Sequence, residues 1–433
     1  MVWQIVGMLA IITVIGLSIA LHEVGHLAPA KRFGVRVSDY AIGFGPSLFS
    51  RRIGETLYAL RLIPVGGYIR MIGMYPPAPV GHQPKGRLGR LAEEARAEAM
   101  AEVLPSDAGR AFYELPVHKR IVVMLGGPSM NALLAVLFFA IALMGVGVAS
   151  PSLTVDAAPP CIGTSQYPDG ERVDGSCPGG VAPAAAAGVK AGDTIVAINE
   201  RPVEDWLDLD EALRADADGG PGTVTVLRNG IETVLDVDYV SVERVAIDEA
   251  GNPTGETFRR AYLGVQPTWE RQRLGIGTVG SVMWNMTTGS LKAMGQFPQK
   301  VLELGRTLLT DGERDINGPV SVVGATRIGG EIAAADWDLA DKINSLLMLA
   351  GSLNLFLFLF NLVPLLPLDG GHVAAALYEM VRNGLDRLRG RARRGPADTA
   401  RMLPITYAMS ALLIGVGGLV IWADIVKPIS LGG

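Results

Sequence analysis

Residues 21–27 read Leu-His-Glu-Val-Gly-His-Leu, and they close an uncharged run that begins at residue 5. On a helix, two histidines four positions apart lie on one face, with Glu23 beside them. Two imidazoles suit Zn²⁺, and a neighbouring carboxylate can act on a zinc-bound water. Because ionisable groups are costly inside a membrane-length segment, the motif predicts a metal-dependent hydrolase in a bilayer. The alternative is a pair of half-buried structural histidines at a helix end.

The composition favours a membrane protein. The chain has 433 residues, is 49% hydrophobic and has a mean hydropathy of +0.31. Four uncharged stretches reach the length of about 20 residues that a spanning helix needs; they are 5–21 (continuing into the motif), 121–149, 343–368 and 402–423. A fifth stretch, 274–291, is predicted to be an interfacial or extramembrane helix, with a span as the alternative. The first four residues carry no basic side chain, which argues against a cleaved signal peptide.

The distribution of charge predicts the orientation. Segment 28–120 has 14 Lys and Arg against 8 Asp and Glu, and segment 373–403 has 7 against 3. Segment 150–344 has 16 against 29. The positive-inside rule therefore places the first two segments in the cytoplasm and the acidic segment outside. The arginine cluster at 387–394 is interpreted as a topology anchor at anionic lipid, not as a nucleic-acid site.

A catalytic zinc usually has three protein ligands, so a third is needed. The candidate is Asp369, which closes the uncharged run 343–368. At 1.5 Å per residue, His22 lies roughly 25 Å from the outer end of the first span. Asp369 lies at the inner end of a span that runs inwards, so both reach the cytoplasmic half of the bilayer. Taken alone, Asp369-Gly-Gly would be an ordinary turn that ends a helix.

These motifs resemble those of the bacterial site-2 proteases, intramembrane zinc proteases that include regulators of sigma-factor release. The resemblance covers nearly the whole chain and is closest to the actinobacterial type with a single PDZ domain. It depends on His22-Glu-Val-Gly-His26, Gly43-Phe-Gly45, Pro64-Val-Gly-Gly-Tyr-Ile69, Gly126-Gly-Pro-Ser-Met-Asn131 and the stretch from Asn361 to Gly371. One departure is that the second proline of the last motif stands at 367, one place later than in many members, which puts the local backbone path in doubt.

The resemblance implies roles for particular residues. His22, His26 and Asp369 would bind one Zn²⁺ per chain, and Glu23 would be the catalytic base. Asn361 would help to position the substrate. Asn131 would lie near the active site as a candidate substrate-binding residue, with a role in helix packing as the alternative. His372 is expected to be structural rather than a ligand.

A helical substrate must unwind before its backbone can be cut, and its freed backbone groups then need partners inside the bilayer. An edge strand supplies them by strand addition. Residues 56–63 and 67–72 are predicted to form a hairpin joined by the turn Pro64-Val-Gly-Gly67. Gly66, Gly67 and Tyr68 are therefore candidate substrate-binding residues. The alternative is an ordinary surface hairpin.

The acidic segment contains a second module. Residues 187–199 resemble the core of a bacterial PDZ domain, followed by a predicted helix at 204–215 and strands at 223–228 and 232–240. Asn229-Gly230 between the strands is a hairpin turn signal. Cys161 and Cys177 flank an insertion before this core, and an oxidising exterior permits a disulfide between them, with two free thiols as the alternative. The sequence does not identify the PDZ ligand.

The predicted fold is a polytopic α-helical membrane protein of about four transmembrane helices, with a membrane-associated β-hairpin region and an extracytoplasmic PDZ-like α+β domain. Both termini lie outside the bacterial cytoplasmic membrane, and the active site faces the cytoplasmic side. The predicted segments are the first span (1–27), a cytoplasmic region (28–120) with the hairpin (about 40–72) and a charged insertion (76–118), the second span (121–149), the PDZ-like domain (150–268), a post-PDZ region with amphipathic helices (269–342), the third span (343–372), a basic loop (373–401) and the fourth span (402–426).

The predicted function is intramembrane cleavage of single-span membrane proteins, such as an anti-sigma factor already shortened by another protease. The alternative is a catalytically silent PDZ scaffold that keeps the metal as a structural staple. The intact Glu23 argues against the scaffold, because a structural zinc site has no need of a base.

Overall fold

The computed structural model describes residues 1–77, 86–163, 171–172, 174–247, 253–310, 312, 314–392 and 395–429. The chain divides into unit 1 (Met1–Gly147 and Arg273–Gly433) and unit 2 (Val148–Gln272). Part of the predicted insertion (78–85) and two members of the predicted basic cluster, Arg393 and Arg394, lie outside the described residues.

Unit 1 is mainly helical. Its helices are α1 (Val2–Arg32), α2 (Gly86–Ala101), α3 (Val117–Ala140), α6 (Ile276–Leu309), α7 (Val322–Ala334), α8 (Leu339–Asn361), α9 (Asp369–Leu388) and α10 (Leu403–Val426), while α4 and α5 belong to unit 2. Within the described residues, four helices are long and apolar enough to cross a membrane: Val2–Arg32, Val117–Val146, Leu339–Asn361 and Thr399–Val426. The four expected apolar helices are therefore confirmed, while the predicted orientation stays a prediction.

The third span ends earlier than predicted. Helix α8 stops at Asn361, and Asp369 begins α9 instead of closing one long segment over 343–372. The reason is local, because Pro364 and Pro367 cannot donate helical hydrogen bonds and disfavour helical geometry in the residues before them. The uncharged run thus contains a helix, an irregular turn and the start of a second helix.

Helices α1 and α3 approach each other through glycine. A Cβ atom added to Gly126 would lie 2.0 Å from the Gly25 carbonyl oxygen, and one added to Gly25 would lie 2.3 Å from the Gly126 oxygen. Small residues permit this kind of backbone contact between membrane helices. A similar glycine contact brings α7 against the first half of α1, where a Cβ on Gly7 would lie 2.2 Å from the Gly329 oxygen.

The β-region of unit 1 has a different topology from the predicted hairpin. The structure contains one strand, β2 (Thr56–Met71), where two strands joined by a turn at 64–67 were expected. Both halves of β2 pair with β1 (Val37–Ile53), so that Ala41 faces Ala59 on one side and Tyr68 on the other. The predicted turn was therefore wrong: the hairpin connection lies between Ile53 and Thr56, and the second half of β2 returns along the opposite edge of β1.

The end of α10 is bonded to the connection between α6 and α7. The buried Asp424 carboxylate pairs with Arg314 at 2.7 Å and accepts hydrogen bonds from the Ser321 and Gly324 amides at the start of α7. Lys427 donates to the carbonyl oxygens of Thr307, Thr310 and Gly312 at the end of α6. An anion at a helix N-terminus and a cation at a C-terminus both match the helix dipoles.

Unit 2 is an α+β domain. Its strands are β3 (Val148–Ala157), β4 (Thr194–Ile198), β5 (Arg201–Pro202), β6 (Gly220–Arg228), β7 (Ile231–Ile247), β8 (Pro253–Tyr262) and β9 (Gln266–Gln272), and its helices are α4 (Pro183–Ala187) and α5 (Trp206–Ala215). The sheet order is β8-β7-β6-β4-β3-β9, with β5 beside β4. Asn229 and Gly230 have positive φ angles and turn β6 into β7. Its PDZ identity stays a prediction.

Two bonds join distant parts of unit 2. Cys161 and Cys177 form a disulfide. Arg228 on β6 donates to both carboxylate oxygens of Asp193, at 2.8 and 2.7 Å, and Asp193 also accepts from the Lys190 amide. These hydrogen bonds from Arg228 hold the pKa of the buried Asp193 carboxyl below its usual range.

Candidate metal centre

Three potential metal ligands meet where α1 and the start of α9 come together. His22 and His26 lie one turn apart on α1, and Asp369 is the first residue of α9. One ligand atom of each residue lies within 4.8 Å of the other two. Local helical spacing supplies the histidine pair, and the turn between α8 and α9 brings the carboxylate to it.

The spacing of these atoms matches a tetrahedral ion. Asp369 Oδ2 lies 3.3 Å from His22 Nε2 and 3.3 Å from His26 Nε2, and the two nitrogen atoms are 3.2 Å apart. Zinc bonds of about 2.0–2.2 Å at tetrahedral angles separate neighbouring ligand atoms by roughly 3.3–3.6 Å, and the observed distances lie at the short end of this range. Two imidazoles and one carboxylate are also the donors found at catalytic zinc sites. The residues present therefore fit Zn²⁺ with a fourth position left for water or substrate.

Partners on α3 fix the orientation of both imidazoles. His26 Nδ1 lies 2.8 Å from the Val123 carbonyl oxygen, which can only accept, so the proton is on Nδ1 and Nε2 is free for a metal. His22 Nδ1 lies 3.1 Å from the amide nitrogen of Asn131. The amide oxygen of Asn131 is buried and has no hydrogen-bond partner among the described residues. Turning the amide over gives this oxygen the His22 Nδ1–H as donor and leaves Nε2 free.

Gly127 leaves the space in which the two imidazoles meet. A Cβ atom on Gly127 would lie 2.2 Å from His26 Nε2 and 2.7 Å from His22 Nε2. Both are shorter than the contacts that real Cβ atoms make. Helix α3 continues through the segment Gly126-Gly-Pro128, and its glycines permit close contact with α1.

Glu23 lies between the histidine pair and strand β2. It is 9% exposed, and its carboxyl group lies beside the backbone of Ile69. A Cβ on Gly67 would lie 2.9 Å from Glu23 Cγ, so the absence of a side chain at Gly67 allows the strand to pass over the carboxylate. The metal ligands and the second half of β2 thus face each other across Glu23.

The predicted substrate-binding residues fall in different environments. Gly66, Gly67 and Tyr68 lie on the second half of β2, and the Tyr68 ring stacks on Phe44. The two-stranded sheet leaves the outer edge of this half without a strand partner among the described residues. Asn361 is the partly exposed last residue of α8.

Asn131 is the most deeply buried of the candidate substrate-binding residues. It is 1% exposed and bonded to His22, which places it beneath the ligands rather than on a surface open to substrate. Sequence reasoning did not assign roles to Val123 and Gly127, because Val123 acts through its backbone and Gly127 through the lack of a side chain. His372, expected to be structural, lies one turn along α9 from Asp369.

Comparison with known proteins extends over the whole chain. The family model for peptidase family M50 matches residues 10–393. Curated relatives include the zinc metalloprotease Rip1 of Mycobacterium tuberculosis, 32% identical over 99% of each chain, and Rip1 of Mycolicibacterium smegmatis, 30% identical over 98% of each. The zinc metalloprotease RasP of Geobacillus kaustophilus is 27% identical over 99% of each chain.

Proposed function

This chain belongs to peptidase family M50, the site-2 protease family of zinc metalloendopeptidases, and we propose that it cuts single-span membrane proteins within the bilayer. It is a multi-pass membrane protein with a zinc cofactor. The observation that carries the proposal is the tetrahedral spacing of His22, His26 and Asp369 beside the buried Glu23.

Each residue of the centre has a distinct proposed role. His22, His26 and Asp369 hold the ion, whose chemistry when bound is to lower the pKa of a coordinated water and to polarise the scissile carbonyl. Glu23 takes a proton from the attacking water and passes it to the leaving amine. Val123 and Asn131 keep the imidazoles in the required tautomer, so we propose that Asn131 positions His22 and does not bind substrate.

The free edge of β2 is the proposed substrate platform. An unwound substrate segment exposes amides and carbonyls that water cannot satisfy inside the bilayer. Strand addition along Gly66, Gly67 and Tyr68 supplies hydrogen bonds and brings the added chain beside Glu23. Asn361, at the end of α8, is proposed to help position the same segment.

The orientation follows from the charge distribution. We propose that the basic segments 28–120 and 373–403 face the cytoplasm, so the metal centre lies toward that side of the bacterial cytoplasmic membrane. Unit 2 and both termini then lie outside. An anti-sigma factor already shortened by another protease is the substrate class that we propose from the resemblance.

Unit 2 is proposed to be a PDZ-like domain that selects substrates. The order of its elements supports this, because helix α5 and the strands β6 and β7 follow the segment 187–199 as the motif requires. In the proposed orientation it lies across the membrane from the catalytic residues. It therefore acts on which proteins enter, by excluding bulky external domains or capturing a newly exposed end, and its ligand stays unidentified.

Glu23→Gln and Asp369→Ala separate these roles. We expect Glu23→Gln to keep zinc. Its rate of cleavage of a model transmembrane protein should fall by about 10²–10⁴-fold, the range for general acid–base catalysis. Asp369→Ala should lose zinc as well as cleavage. Zinc is measured by elemental analysis of purified protein and cleavage by fragment formation.

Glu98→Gln, on the exposed surface of α2, is the matched control and should retain both properties. Equal zinc loss in Glu23→Gln and Asp369→Ala would make Glu23 a ligand. Full cleavage by Glu23→Gln would refute the catalytic proposal and favour the scaffold.

A further inference from the structure

A cavity of about 1070 Å³ lies beside α9. Its walls are formed by α9, by residues of the turn before it, by segment 395–402 and by Pro76, Pro77, Tyr113 and Glu114. This space, here called the α9 cavity, is slightly larger than the roughly 300–1,000 Å³ typical of small-molecule pockets. It has room for a segment of polypeptide rather than for one side chain.

The α9 cavity adjoins the turn that carries the metal ligand Asp369. Leu366 and Gly371, which flank Asp369 in the sequence, both line it. The Gly371 amide donates to the Leu368 carbonyl oxygen at 3.0 Å, and a Cβ on Gly371 would lie 2.5 Å from the Leu366 nitrogen. The turn between α8 and α9 is therefore tightly packed. One side of it carries the ligand Asp369, and the other side forms part of the cavity wall.

The free edge of β2 leads to the same place. The strand passes Glu23 at Gly67 and ends at Met71, and the chain continues for four residues to Pro76 and Pro77 in the cavity wall. Along this path the Phe112 amide donates to the Ile72 carbonyl oxygen at 2.8 Å, and the Tyr113 amide donates to that of Gly73 at 3.0 Å. The protein segment that runs from the end of β2 to the cavity wall is thus held in place by hydrogen bonds.

The opposite wall, segment 395–402, is also held in place. The Ala397 amide donates to Glu379 at 2.8 Å, and Glu379 is paired with the buried Arg120 at 2.6 Å. Arg96, on the insertion helix α2, donates to Asp398 at 2.7 Å. The insertion, for which the sequence offered no function, therefore supports a wall of the cavity.

The lining suits a peptide in an extended conformation. Pro76, Pro77, Pro364 and Pro396 offer apolar surface without competing N–H donors. Arg382 lies over the Tyr378 ring, 5.9 Å from its centroid, and donates to the carbonyl oxygen of Gly395 in the opposite wall. These residues give the cavity a mostly apolar wall with the ring of Tyr378 and the guanidinium of Arg382 on it.

We propose that the α9 cavity holds the part of the substrate chain that lies on the cytoplasmic side of the scissile bond. This inference rests on the proposed function, because it needs the substrate to add to the free edge of β2. The cavity then binds residues beyond the bond that is cut, against its proline-rich wall. Substrates are selected there by their cytoplasmic juxtamembrane sequence.

Photo-crosslinking to a trapped substrate tests the proposal. In full-length Glu23→Gln protein, benzoylphenylalanine replaces Tyr378 in the cavity, Tyr68 on β2 or Met380, which is exposed on α9 and does not line the cavity. The probe at 378 should crosslink to the cytoplasmic juxtamembrane residues of a model transmembrane substrate. The probe at 68 should crosslink nearer the scissile bond, and the probe at 380 should not crosslink to the substrate.

The outcomes separate this inference from the proposed function. Crosslinking from 68 but not from 378, or crosslinking from 378 to lipid only, overturns the cavity inference and leaves strand addition standing. The absence of substrate crosslinks from both positions overturns both. Equal crosslinking from 378 and 380 also overturns the cavity inference, since the cavity would then confer no selectivity.

A filling variant gives an independent measurement on active enzyme. Ala374→Phe puts a large side chain into the α9 cavity, whereas Leu377→Phe lies on an exposed part of α9 outside it. We expect Ala374→Phe to raise KM about tenfold for a substrate with a cytoplasmic extension, which corresponds to about 1.4 kcal/mol. Its kcat, and its KM for a substrate without the extension, should match those of Leu377→Phe. An equal loss for both substrates would overturn the inference.

Discussion

Replacement of Gly127 by alanine should remove zinc without unfolding the protein. The new methyl carbon would lie 2.2 Å from His26 Nε2 and 2.7 Å from His22 Nε2, whereas real Cβ atoms essentially never approach closer than 3.0 Å. His26 Nε2 must therefore move by roughly 0.8 Å, which is about four times the ±0.2 Å tolerance of metal–ligand distances. We expect zinc affinity to fall by at least 10–100-fold, the loss typical of disturbed ligand orientation.

The assay is zinc affinity, measured on purified Gly127→Ala protein by competition with a chelator. Gly16→Ala is the control, because a Cβ at Gly16 on α1 meets no atom within 4 Å. Gly126→Ala is a contrasting variant whose added carbon would lie 2.0 Å from the Gly25 oxygen, so it should lower thermal stability by separating α1 from α3. Wild-type zinc affinity in a folded Gly127→Ala protein would refute the assignment of these nitrogen atoms as ligands.

Two further predictions concern Asn131 and Asp193. Asn131→Leu should lower zinc affinity by about 10–100-fold, because the His22 Nδ1–H loses its hydrogen-bond acceptor. Asn131→Asp keeps an acceptor and should lower zinc affinity less. Equal losses of zinc affinity for the two variants, measured by chelator competition, would contradict a positioning role for Asn131. Asp193 has a lowered pKa when folded, so its stabilising effect is complete above the ordinary value of 3.8 and is lost as the pH falls through the lower folded value. The unfolding midpoint of unit 2 can be followed by the fluorescence of Trp206 in a protein whose other five tryptophans are replaced. Below pH 4 this midpoint should fall more steeply with Asp193 present than in the Asp193→Asn variant. Parallel curves for the two proteins would contradict the prediction.

The parts of the fold that the sequence predicted are those whose signals are local. The apolar runs gave four helices, and the spacing of His22 and His26 gave two imidazoles on one helical face. Asp369 could be proposed as their partner because a carboxylate at membrane depth is costly unless a cation or a metal ion balances its charge. The zinc cofactor and the enzyme class agree with the relatives that the chain resembles.

The parts that were missed depend on non-local or backbone interactions. The segment 64–67 has the composition of a turn, yet β2 runs through it because β1 offers a pairing edge on each of its two sides. Pattern along the chain cannot show which edge a strand will choose. In the same way, the Val123 carbonyl that orients His26 belongs to the backbone, and any residue type at that position would provide it.

The contact between Gly25 and Gly126 has a consequence for how the enzyme responds to its surroundings. At most helix crossings, side chains act as compressible spacers, and changes in the lateral pressure or thickness of a bilayer alter the spacing by shifting rotamers. Here main-chain atoms meet directly, one residue from His26 and one from Gly127, so nothing between the helices can yield. A change in lipid composition should therefore leave the geometry of the metal centre unchanged. It should alter how readily a substrate enters the site before it alters the rate of bond cleavage.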